Sequence, residues 1–201
     1  MDIDQNSLAR SGSQLALGSV FWVLCVQYYV VQVIAALAWK LPFSLAQNSI
    51  SDLGNTVCGA YGSRVVCSPL HGLMNASFVV LGLLMAVGAF LIYLGLPWGR
   101  LTSAGLACLA IAGLGTILVG AFPENTVSAL HIVGAALPFA VGNIGLVFLG
   151  LAAGIPKWLR WYALISGIVA LLALAFFLTN NYLGLGLGGL ERLVAYPQTI
   201  G

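Results

Sequence analysis

An all-α bundle of membrane-spanning helices is predicted by three observations. Of 201 residues, 61% are hydrophobic and only 6% charged, against about a quarter charged in an ordinary soluble domain. Five apolar runs exceed the roughly 18 residues that mark a helical span. These runs are apolar on every face, whereas a membrane barrel would alternate in segments of ~10 residues. Water-soluble folding is therefore excluded. A net charge of +2, drawn from 7 basic and 5 acidic residues, leaves no basic stripe for phosphate backbones. The bilayer is the expected partner and nucleic acid is not.

Residues 1–14 read as a cytoplasmic tail carrying Asp2, Asp4 and Arg10, and 15–201 as a single transmembrane domain. The first run, Leu15–Trp39, is too long for the core of a cleavable signal peptide, usually about 7–15 residues. Gln27, Tyr28, Tyr29 and Gln32 give it polarity that helix-to-helix hydrogen bonds or a cavity would use. The longest loop follows, Lys40–Pro69. In it Cys58 and Cys67 stand nine apart with turn-forming Gly59 and Gly62 between them. That spacing suits a disulfide, which requires an oxidising compartment. Cys25 and Cys108 lie inside spans and read as small apolar residues.

The remaining runs are Leu70–Leu94, Leu101–Phe122, Val127–Leu151 and Trp158–Leu178, and all five are 21 to 25 residues long. At about 1.5 Å per residue each covers a hydrocarbon core of roughly 30 Å. Small residues such as Gly113, Gly115, Gly142, Gly145 and the Gly150/Gly154 pair are expected at helix contacts, with Ser103, Thr116, Asn143 and Ser166 bonding across the bundle. Trp98, Trp158, Trp161, Tyr61 and Tyr182 sit near span ends, where amphipathic rings favour the interface. After the fifth span come Gly184, Gly186, Gly188 and Gly189, read as a flexible connector, and then residues 190–201, too short to span but able to begin a sixth helix. A cytoplasmic N-terminus puts Arg10, Arg100, Lys157 and Arg160 inside and Lys40, Arg64 and Arg192 outside. The bias of four to three agrees with an outer disulfide loop in a multi-pass cell-membrane protein.

Ionisable groups near hydrocarbon are costly and normally face the bundle interior with a partner. Here Asp52, His71, Asn75, Glu124, Asn125, His131, Glu191 and Arg192, together with Ser51, all fall at the same end of the spans. Asp52 and Glu124 could simply cap even-numbered helices. Capping does not account for His71 and His131, the only histidines. Two imidazoles with Asp52 or Glu124 form an N/O set that could hold a divalent metal such as zinc with an open water position. The local spacing of familiar zinc motifs is absent, however, and a bis-histidine haem is disfavoured further. A metal-free acid/base site is the other sharp reading, with His71 or His131 oriented by Asp52 or Glu124. No serine stands out as its nucleophile.

Leu41-Pro-Phe43, Ile50-Ser-Asp-Leu-Gly-Asn55, Ser68-Pro-Leu-His71 with Asn75, Phe122-Pro-Glu-Asn125, Leu130-His131 with Gly134, and Gly189-Leu-Glu191-Arg192 with Tyr196 form an ordered series of motifs. The series resembles the bacterial and archaeal membrane family called domain of unknown function 998, over about residues 15–200. That family is in turn distantly similar to the six-span DRAM/Frag/Sfk proteins of lipid remodelling. The resemblance implies six spans and places the polar residues above at motif positions, but it supplies no activity.

The expectation is a polar pocket at the outer face that recognises or processes a lipid headgroup or lipid-linked substrate, as a hydrolase or transferase would. His71, His131, Asp52 and Glu124 would carry the chemistry, while Ser51, Asn75, Asn125, Glu191 and Arg192 would bind substrate. The competing expectation is a non-catalytic subunit or scaffold with membrane-protein partners, its loops tied by caps and a Glu191–Arg192 ion pair. A transporter is disfavoured by the scarcity of intramembrane charge and the lack of an inverted repeat.

Overall fold

A computed structural model describes residues 5–95 and 99–200, with side chains from residue 12 onward. Asp2, Asp4 and Trp98 lie outside the described residues, and so does the Arg10 side chain. Five helical stretches are long and apolar enough to cross a membrane: Gly12–Leu37, His71–Gly95, Arg100–Ala121, Ser128–Leu151 and Lys157–Leu178. Their mean hydropathy runs from 2.0 to 2.5. The outward faces carry large apolar side chains, among them Leu37, Leu178 and Trp158 at 82%, 72% and 73% exposure. That much exposed hydrocarbon is stable against lipid and not against water.

The first span is two helices, α1 (Gln5–Leu24) and α2 (Val26–Leu37), separated by a turn residue at Cys25. The loop then forms a 3₁₀ turn, Ser51–Gly54, and a hairpin of β1 (Gly59–Tyr61) and β2 (Arg64–Val66). Tyr61 pairs with Arg64 across the two-residue turn, and Cys58 and Cys67 are joined by a disulfide at the hairpin's open end. Next come α3 (His71–Gly95) and α4 (Arg100–Ala121). The fourth span is α5 (Ser128–Ala136), a π-helical stretch (Leu137–Gly142) and α6 (Asn143–Leu151). Pro138 sits in the π stretch, where the wider turn accommodates a ring that lacks an N–H and would clash in a regular helix. The carbonyls of Pro138 and Phe139 accept side-chain amides from Gln198 and Asn143.

The fifth span, α7 (Lys157–Leu178), is followed by α8 (Gly186–Ala195) and α9 (Pro197–Ile200), which turn back into the bundle. Leu190 and Val194 are fully buried. Asn143 of the fourth span donates to the Val194 carbonyl, and Tyr29 of the first span bonds Thr199. The sixth element thus begins at Gly186, earlier than expected, and the glycine stretch is not a loose connector. Gly186 and Gly188 lie against the Ala46 and Asn48 carbonyls, and a Cβ at Gly188 would sit 2.0 Å from Asn48 O.

Bare backbones bring the spans together. A Cβ at Gly82 would lie 2.3 Å from Gly113 O, and one at Gly115 would lie 2.5 Å from Gly134 O. Gly142, Gly145 and Gly150 also pack tightly, whereas Gly154 has φ +83° and meets nothing within 4 Å, so it belongs to a turn and not to a helix contact. Gln27 and Ser77 exchange hydrogen bonds between the first and second spans. Thr116 and Ser166, expected to bond across the bundle, instead donate to carbonyls of their own helices.

Candidate functional site

Buried polar groups gather where the 38–70 and 122–127 connections meet α8. Two adjoining clusters form there. In the outer one, Asp52 is fully buried, and the Arg64 guanidinium grips it with Nη2 to Oδ1 at 2.8 Å and Nε to Oδ2 at 2.9 Å. The Ser49 backbone N–H also donates to Oδ2 at 2.9 Å. Glu124 accepts from Asn55 Nδ2 at 3.1 Å, while its backbone carbonyl accepts the Tyr61 and Ser128 hydroxyls. Asn125 and Thr56 bond in both directions. Burial, reinforced by the negative charge of Asp52, pushes the Glu124 carboxyl up to about 8. The cluster therefore sets the Arg64–Asp52 salt bridge beside a carboxyl held well above the usual carboxylate range.

Neither Asp52 nor Glu124 caps a spanning helix. Asp52 lies inside the 3₁₀ turn, and the residue before α5 is Val127 with no side-chain cap. The predicted Glu191–Arg192 ion pair does not form, and among the described residues the salt bridge is Arg64–Asp52. Arg192 points the other way: its Nη1 donates to the Leu45, Asn48 and Gly188 carbonyls at 2.8 to 2.9 Å. Glu191 accepts the Ile50 N–H. Consecutive residues of α8 thus hold opposite ends of the 45–50 backbone.

The inner cluster centres on His131. Its Nδ1 lies 2.9 Å from the Phe122 carbonyl, which can only accept, so Nδ1 carries the hydrogen. Its Nε2 is then free to accept from Ser51 Oγ, 3.0 Å away. Ser51 Oγ also lies 3.5 Å from Glu191 Oε1. Packing produces this geometry: Gly134, one turn after His131, rests on Gly115, which draws the fourth span close enough to bring the ring to the carbonyl that ends α4. Beside it a cavity of about 40 Å³ opens in the bundle. Ser51 and Glu191 line one part of it, and Phe78, Leu81, Met85, Val119 and Phe139 line its walls. Gln198 also lines it, and among the described residues the buried Gln198 Oε1 has no hydrogen-bond partner.

The expected pairing of the two histidines does not occur. His71 bonds the Ser68 carbonyl at 2.9 Å, and Asn75 donates to the Gly54 carbonyl at 2.8 Å. His71, His131 and Asp52 each have separate partners, and among the described residues no three His, Cys, Asp or Glu gather as a metal-ligand group. The residues present therefore do not fit the zinc set read from the sequence. Arg64, Asn55 and Tyr61 were not among the expected site residues. Asn55 ends the Ile50–Asn55 motif, and the turn glycines between the cysteines are the sequence signal for the other two, since a two-residue hairpin there sets Tyr61 opposite Arg64.

A family described as "Protein of unknown function (DUF998)" matches residues 23–201. The chain belongs to the DUF998 family. No curated protein and no solved structure matches it. In this DUF998 chain the two clusters are built from the Ile50–Asn55, Phe122–Asn125, His131 and Glu191-Arg192 segments, the same residues that topology places at one end of the bundle.

Proposed function

We propose that this DUF998 protein handles an amphiphilic membrane molecule, holding the junction between its polar and apolar parts at Ser51 and Glu191 on the extracytoplasmic side. The observation that carries this reading is the cavity. It joins a hydroxyl and a carboxyl to walls of aromatic and aliphatic side chains contributed by the spans, the combination that fixes an amphiphile's orientation. Its size suits a few waters or a linking carbonyl with a short length of chain, so the remainder of a lipid would stay in the bilayer. The unpartnered Gln198 Oε1 offers an acceptor for a ligand hydroxyl or amide.

A scaffold role has its own supporting observation: Asp52, Arg64, Asn55, Glu124 and Asn125 bond chiefly to one another and to loop backbone. Filling the cavity separates the two readings. Ala135→Leu adds volume at its wall. We expect at least a tenfold loss of binding of a fluorescent long-chain ester to the protein in nanodiscs, with thermal unfolding within a few degrees of wild type. Unchanged binding, or none by wild type, would overturn the pocket and leave the scaffold.

A further inference from the structure

We propose that Ser51 is a nucleophile and His131 its general base, so that the site hydrolyses the acyl ester of an amphiphilic lipid. This rests on the pocket reading above and adds a reaction to it. The geometry has the three parts that an activated serine requires. A hydroxyl lies within hydrogen-bond reach of an imidazole nitrogen, Ser51 Oγ to His131 Nε2 at 3.0 Å. A third group orients the base, the Phe122 carbonyl on Nδ1 at 2.9 Å. Ser51 also borders a space where a reacting carbonyl can sit, because it lines the cavity.

The other ring contacts of the molecule lack this arrangement. His71 bonds a carbonyl three residues back in its own segment. Ser49, Ser68, Ser77 and Ser128 each donate to, or accept from, carbonyl or amide groups that offer no base. Ser51 is further held from its own backbone, since the preceding N–H, that of Ile50, is bound by Glu191 of α8. The nucleophile and its base are thus fixed by three separate segments, and neither depends on a long mobile side chain.

In the reaction, the Ser51 hydroxyl proton passes to His131 Nε2 as Oγ bonds to the acyl carbon of the ester. The tetrahedral adduct collapses with cleavage of the bond from that carbon to the alkoxy oxygen, and the alcohol leaves with the proton from Nε2. Water then attacks the acyl-serine and gives a proton to Nε2. The fatty acid departs as Ser51 Oγ recovers its hydrogen. Ester and water become acid and alcohol, with no other reactant consumed.

The test uses the full chain in nanodiscs with a long-chain alkyl fluorophosphonate, whose fluoride a serine Oγ displaces. We expect one stoichiometric adduct that peptide mapping of wild type places on Ser51. It should be absent from Ser51→Ala and form at least 100-fold more slowly in His131→Gln. Binding of the matching ether-linked lipid, which cannot be cleaved, is measured alongside. Ether lipid bound without an adduct, or an adduct on another residue, overturns the nucleophile and leaves the pocket standing. Neither adduct nor ether-lipid binding overturns both. Mapping on wild type decides the matter even where a variant fails to fold.

Discussion

At the scale of single residues, protonation gives the sharpest test of the outer cluster. Glu124 is a neutral acid in the folded protein up to about pH 8, whereas in an unfolded chain it ionises near pH 4.5. Between those values the folded state holds a proton that the unfolded state releases, so stability falls as pH rises, by about 1.4 kcal/mol per pH unit from this group. The loss is complete above about pH 8. Glu124→Gln removes it, and thermal unfolding in detergent from pH 5 to pH 8 should decline for wild type while staying flatter in the variant. Equal slopes would show that Glu124 is ionised in the fold. The position of Asp52, Glu124, His131 and Glu191 at one end was legible in the sequence, because so few charges leave little freedom in placing them. Their partners were not. Ser51 meets His131 across 80 residues and Arg64 meets Asp52 across a hairpin, and such pairings depend on how closely backbones approach. His71 looked equivalent to His131 by its place at a span end, yet a local carbonyl satisfies it.

At the scale of elements, the β1–β2 hairpin acts as a strap across the outer cluster. It carries Arg64 to Asp52 and Tyr61 to the Glu124 carbonyl, and the Cys58–Cys67 bridge closes it. Replacing both cysteines by serine frees the unfolded loop and should cost roughly 2–3 kcal/mol. A lowered unfolding temperature that no longer responds to a reducing agent would verify this, and an unchanged temperature would mean that the hairpin holds without its bridge. Helical runs were readable from apolar length alone, and the disulfide from its spacing and the turn glycines it encloses, but the two strands of the hairpin were not. Irregularities were less so. The break at Cys25 and the π stretch around Pro138 keep the hydropathy of a plain span, so the run of apolar residues conceals them. The start of α8 was obscured for the opposite reason: glycines that favour turns in isolation are required there because the Ala46 and Asn48 carbonyls leave no room for a side chain.

At the scale of the molecule, five spans with all the long loops at one end follow from composition, and only the direction of insertion rests on a narrow charge bias. Cysteines placed at Thr126 and Ala153, exposed residues at opposite ends of the fourth span, test it with a membrane-impermeant maleimide. Thr126→Cys should react in intact cells and Ala153→Cys only after permeabilisation; the reverse pattern would invert the topology and put the site in the cytoplasm. The return of α8 and α9 into the bundle bears also on how the protein is made. The cavity draws on Tyr28 at one extreme and Thr199 at the other, and the Ile50 backbone beside Ser51 is anchored by Glu191, 141 positions further along. Without α8 and α9 the cavity loses the wall formed by Glu191, Ala195, Gln198 and Thr199. The hold of Glu191 and Arg192 on the 45–50 backbone likewise requires α8, so the pocket is complete only once α8 and α9 have docked.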